Sequence, residues 1–124
     1  MEKLTTIEAC FIATGRNPKN LPIVTHLPEK DAVKVIADYQ YNIVVEAINE
    51  GVDPDWANPR EAKWELWPDV VKDSAKPSGF GLSYNGYEYT RTNTVAGARR
   101  SFRSREQAKF CWDNFQALIE IVYL

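Results

Sequence analysis

The stretch between Pro28 and Gly51 constrains this chain most. Val33, Ile36, Ala37, Tyr41, Val44, Ala47 and Ile48 recur at steps of about 3.6 residues, which marks one apolar face of a helix. Pro28 suits the position just before or at the first turn, where its missing N–H costs nothing. Glu29 and Asp31 suit the positive end of the helix, and Gly51 suits its stop. About twenty residues at 1.5 Å each make an element roughly 30 Å long. The chain has 124 residues, enough for one domain and too few for two. Such a helix spans that domain, so the remaining segments must pack around it.

The other signals are local. Thr5-Thr6-Ile7-Glu8 reads as a capping box for a short helix that stops near Gly15. Residues 16–28, with Pro18, Pro22 and Pro28, read as an extended loop, and residues 51–61 as a turn-rich one. In the first of these His26, the only histidine, has no catalytic signature around it, and reads as an exposed or locally bonded loop residue. In the second, Asp53 is expected to organise a turn. Ala62–Trp67 alternates as a half-buried strand ended by Pro68, and residues 69–79 look irregular. Asn85-Gly86 predicts a type I′ hairpin that pairs Tyr84 with Tyr87 and Leu82 with Tyr89. Phe80 and Arg91 extend that aromatic face. Residues 95–103 suit a further strand, with Gly97 marking a bulge or close approach. Ser104-Arg105-Glu106-Gln107 is a second capping box, opening one last helix through Ala108, Cys111, Trp112, Phe115, Leu118, Ile119 and Val122. The expected fold class is α+β: an antiparallel three- to four-stranded β-meander with two N-terminal helices and one C-terminal helix packed on it.

Charge is unevenly spread. Residues 1–61 carry six Lys/Arg against ten Asp/Glu, and residues 62–124 carry nine against seven. Within 91–109, Arg91, Arg99, Arg100, Arg103, Arg105 and Lys109 face only Glu106. Such a segment suits an anion-binding stripe or simply a solvated strand and helix start. Cys10 and Cys111 sit in apolar helical patterns and read as small hydrophobes. Two cysteines and one histidine, widely separated, make neither a zinc spacing nor a redox motif. Glu46, Glu50, Asp53 and Asp55 cluster in sequence without matching a calcium loop. Gly79-Phe80-Gly81 lacks the third glycine of a dinucleotide fingerprint, and no phosphate loop is present. No cofactor and no catalytic residue is expected. The chain also reads without a signal peptide or membrane span, which suggests the reducing cytoplasm of a host cell.

Several runs together carry a resemblance. They are Glu-Ala-Ile-Asn-Glu-Gly-Val-Asp-Pro-Asp-Trp-Ala-Asn-Pro at 46–59, Lys-Trp-Glu-Leu-Trp-Pro at 63–68, Ser-Gly-Phe-Gly-Leu-Ser at 78–83 and Thr-Val-Ala-Gly-Ala-Arg-Arg-Ser-Phe-Arg-Ser-Arg-Glu-Gln-Ala at 94–108. In this order they resemble a group of small proteins encoded by phages and prophages of gut anaerobes. The resemblance implies a setting and names no activity. The chain departs from that pattern at Glu65 and Leu66, where aromatics are expected, and in its more basic strand around 99–102.

The residues themselves suggest a non-catalytic binding protein. Phe80, Tyr84, Tyr87 and Tyr89 offer rings on which bases stack, and Arg91, Arg99, Arg100, Arg103 and Arg105 offer charge for phosphate. The implied partner is a nucleotide or single-stranded nucleic acid, either as a polymer or as a signalling nucleotide sequestered against host defence. The alternative is a structural or protein–protein interaction module, in which the same rings pack a core or a subunit interface and support a homo-oligomer.

Overall fold

The computed structural model describes residues 1–83, 87–91, 94 and 97–124, with the backbone alone at 87, 88 and 90. Two helices come first, α1 (Ile7–Ala13) and α2 (Glu29–Ile48). Four short strands follow: β1 (Lys63–Leu66), β2 (Asp69–Lys72), β3 (Phe80–Ser83) and β4 (Tyr87–Thr90). A 3-10 turn (Ala98–Arg100), α3 (Arg105–Asn114) and α4 (Gln116–Tyr123) complete the chain. The class is α+β.

The long helix forms where its apolar period places it. Its C-terminal half is buried almost all round, adding Ile43 and Val45 to the expected face, because α1, α3, α4 and the 3-10 turn all pack against it. Its N-terminal half is more open, and Val33 is exposed there. Edge-to-face rings fasten it on two sides, Phe11 against Tyr39 at 6.0 Å and Tyr41 against Tyr123 at 6.2 Å. Lys34 donates to the carbonyls of Ile121 (2.9 Å) and Val122 (2.8 Å), which capture the unpaired end of α4.

The helix ends one residue earlier than its glycine suggests. The Glu50 N–H donates to the Ala47 carbonyl (2.9 Å) and the Gly51 N–H to the Glu46 carbonyl (3.0 Å), which is the Schellman pattern. Glu50 therefore takes the left-handed position, at φ 59°. A side chain there costs about 1 kcal/mol against glycine. Glu50→Gly is expected to stabilise the fold by that amount, read as a rise of about 3–6 °C in Tm.

Of the two expected caps, the one at Ser104 forms and the one at Thr5 is replaced by its neighbour. Thr6, not Thr5, accepts from the Ala9 N–H at 3.1 Å and starts α1. Ser104 accepts from the Gln107 N–H at 3.2 Å and starts α3. The expected single C-terminal helix is two. Phe115, at φ −130° and ψ 31°, breaks it into α3 and α4, and so turns Leu118, Ile119 and Val122 into the same core as Cys111 and Trp112.

The meander is corrected. β1 pairs antiparallel with β4 (Trp64↔Tyr89, Leu66↔Tyr87), and β2 with β3 (Val70↔Leu82, Lys72↔Phe80). The strands are thus nested, two ladders along one hairpin, whose registers differ by one residue. Leu82 faces Val70 and not Tyr89. The Asn85-Gly86 turn and Tyr84 lie outside the described residues. The closing loop is Asp73–Gly79, expected to be irregular, where the Asp73 N–H donates to the Gly79 carbonyl at 2.9 Å. Gly79, at φ 81°, supplies the left-handed turn residue. Strand β2 escapes sequence reading because Asp-Val-Val-Lys does not alternate and follows a proline.

The expected strand at 95–103 is reduced to a single bridge between Trp64 and Phe102. Gly97, at φ 103°, cannot continue a strand, and its carbonyl accepts from Arg100 N–H at 3.0 Å to start the 3-10 turn. Val95 and Ala96 lie outside the described residues. Phe102, Trp64 and Tyr89 nevertheless stand side by side across three chain segments.

Candidate binding surface

The expected aromatic and arginine patch divides into separate groups. On the hairpin, Tyr89 lies against Trp64 with ring centroids 5.0 Å apart. The Arg91 guanidinium sits 5.7 Å from the Tyr89 ring centre and donates to the carbonyls of Pro59 (3.2 Å) and Arg60 (2.9 Å). It therefore pins the loop before β1 as well as covering a ring. Phe80 belongs to the other ladder, opposite Lys72. For Tyr87 only the backbone is described, paired with Leu66.

The remaining arginines turn inward or elsewhere. Arg100 donates to Asp38 on α2 at 2.9 Å, with its guanidinium 5.9 Å from the Tyr41 ring and 5.8 Å from the Tyr123 ring. Beneath it the Tyr41 and Tyr123 hydroxyls are buried, with no hydrogen-bond partner among the described residues. Burial pushes both phenols up, Tyr41 most. Arg99 reaches Glu46 at 3.8 Å. Glu46 is already held by Arg16 at 2.6 and 3.3 Å, which lowers its carboxyl below the ordinary value. Arg103 is exposed, while its backbone N–H donates to Asn49 (3.2 Å) and Gln107 (3.0 Å). Arg105 is exposed in the first turn of α3, where the Ser104 hydroxyl already takes an N–H. No single stripe of arginine results, because α2 carries the carboxylates that draw Arg99 and Arg100 toward it.

What the hairpin does present is apolar surface. Trp67 (47 %), Phe80 (46 %) and Tyr89 (49 %) are each about half exposed, and all four residues of β2 are exposed, including Val70 and Val71. Trp67 escaped sequence reading because alternation with a following proline carries no sign of which face is wet.

Two charged residues of β1 are buried, which alternation also hid. The fully buried Lys63 donates to the carbonyls of Asn58 (2.7 Å) and Glu61 (2.8 Å) and lies 5.6 Å from the Trp56 ring centre. Glu65 accepts from the Thr94 hydroxyl and from the Ser101 hydroxyl at 3.1 Å. Asn49 joins this layer, donating to the Ser101 carbonyl at 2.9 Å. These bonds hold the C-terminal end of α2, β1 and the 94–103 segment together. In the loop, Asp55 and not Asp53 organises the turn, accepting from the Ala57 N–H at 3.1 Å.

The other reactive side chains are placed as follows. Cys10 and Cys111 are buried free thiols; burial pushes Cys10 up to about 11 and Cys111 still higher. His26 is exposed in its loop. Among the described residues no three His, Cys, Asp or Glu side chains come together as a metal cage. No described helix is long and apolar enough to cross a membrane. Comparison of the chain with protein-family models, with curated proteins and with solved structures gives no match.

Proposed function

We propose that this chain is a non-catalytic binding protein that works through the hairpin, engaging single-stranded nucleic acid by stacking. The observation that carries this reading is the set of half-exposed rings at Trp67, Phe80 and Tyr89, with Arg91 lying on Tyr89. Bases stack on such rings for about 1–3 kcal/mol each, with little sequence preference. Residues 63–91 carry four basic and four acidic side chains, so few phosphates are neutralised. Stacking then supplies most of the affinity. Sequestration of such a ligand in an infected host is the setting that the phage resemblance implies.

The test is fluorescence anisotropy with a short labelled thymidine oligomer. Tyr89→Ala is expected to weaken binding roughly 5- to 150-fold. With about two phosphates neutralised, the slope of log affinity against log salt should be shallow, about −1.4. No binding at low salt removes the reading.

A second reading is favoured by β2, where Val70 and Val71 point to opposite faces and both are exposed. A two-stranded ladder is marginal alone in water. The hairpin would then be a protein interface, with a second copy of this chain as the partner to be tested. A mass that rises with concentration, without any oligomer response, selects it.

A further inference from the structure

The geometry points to a second binding site, lined by none of the exposed hairpin rings, for a small planar molecule that carries one anionic group. It is a cleft of about 330 Å³ lined by Glu46, Asp53, Pro54, Trp56, Ala98 and Arg99. Three elements meet there: the last turns of α2, the loop that follows it, and the 3-10 turn. The volume sits at the low end of small-molecule sites, the size for a ring with a short charged arm.

Each wall has a reason to take that chemistry. The Trp56 indole lines the cleft and carries the Lys63 ammonium 5.6 Å from its ring centre. Lys63 is fully buried and has no carboxylate partner among the described residues. Its charge therefore adds a positive potential behind the ring, felt strongly where water is excluded. The ring itself offers a stacking surface.

Arg99 supplies the anion contact. Its side chain is 62 % exposed, and its one described ion pair, to Glu46, is 3.8 Å long. That is beyond hydrogen-bond reach. Glu46 is instead satisfied by Arg16 at 2.6 Å. The Arg99 fork is thus held over the cleft by a weak contact, with its donors available to a phosphate or carboxylate. Asp53, in the same lining, is an acceptor fit for a hydroxyl or amino group. The lining itself sets Arg99 against Glu46 and Asp53, and two further positive charges adjoin it, Arg16 on Glu46 and Lys63 on the Trp56 ring.

One shared chemistry, a planar ring with an anion, describes both a nucleoside monophosphate and an aromatic carboxylate. Adenosine monophosphate and nicotinate are the two probes. Each is titrated into ¹⁵N-labelled protein while the indole N–H signals are followed, the Trp56 signal being assigned with Trp56→Phe. The expected result is a saturable shift of that signal with at least one probe. Which probe gives it identifies the source of the ligand. Arg99→Ala should weaken the interaction roughly tenfold to a hundredfold. Glu46→Gln, which frees Arg99 from its competitor, should strengthen it.

No shift with either probe at low salt, in both the natural chain and Glu46→Gln, overturns the site. So does binding that Arg99→Ala leaves unchanged. The oligomer measurement on the hairpin is independent of these results. Arg99→Ala should retain oligomer binding and Tyr89→Ala should retain the probe, so either reading can fail without the other.

Discussion

Phe102→Ala is expected to lower the unfolding free energy by about 3–5 kcal/mol. The ring is fully buried and belongs to the core cluster formed by α2, α3 and α4. Its backbone forms both bonds of the bridge to Trp64, at 2.7 and 2.9 Å, and truncation leaves those donors and acceptors in place. The loss therefore measures the ring alone, as transfer free energy plus the cavity left behind. Domains of this size are stable by only about 5–15 kcal/mol, so the variant should unfold at far lower urea concentration. An unchanged urea slope would show that the same surface is exposed on unfolding. A loss below about 1 kcal/mol would contradict the burial of Phe102.

Lys63→Met is expected to cost about 2–4 kcal/mol. Methionine keeps most of the stem volume and removes the ammonium. The Asn58 and Glu61 carbonyls then lose their shared donor, and Trp56 loses its cation. Arg91 still holds the neighbouring carbonyls of Pro59 and Arg60, so the loop is loosened and not released. Urea unfolding reads the stability. Limited proteolysis between residues 53 and 61 reads the loop, where cleavage should quicken more than the global loss predicts. A neutral result would mean that water replaces the ammonium, which would contradict full burial of Lys63. The same variant should weaken the cleft ligand, since it removes the charge behind Trp56.

Much of the helical part was legible because its signals are local. The apolar period of 33–48, the stop beside Gly51 and the Ser104 cap depend on neighbours within one or two turns. The strands were less legible. Asn85-Gly86 is a strong hairpin signal, yet β3 and β4 pair with β2 and β1 and not with each other. A turn motif reports what two residues can adopt. It does not weigh the burial gained when Trp64 is placed between Phe102 and Tyr89. In sequence Gly97 marks a bulge or close approach, but the 3-10 turn it starts needs Thr94 and Ser101 around it, and those meet through Glu65.

The candidate site divides in the same way. Tyr89 and Arg91, two residues apart, were expected together and do meet. Arg99 and Arg100 were expected on an open strand, but Glu46 and Asp38 lie more than fifty residues away in sequence and claim them. Trp56 carries no signal in its loop, because its place depends on Lys63 against its ring and on Arg99 in the same cleft lining. Helix lengths, caps and the apolar face of α2 follow from short-range sterics and hydrogen bonds, and these the amino-acid order alone decides. Strand partners, buried charges and the convergence of Trp56 with Arg99 follow from which distant groups must share a desolvated space. That choice exists only once α2 has gathered the rest of the chain around it.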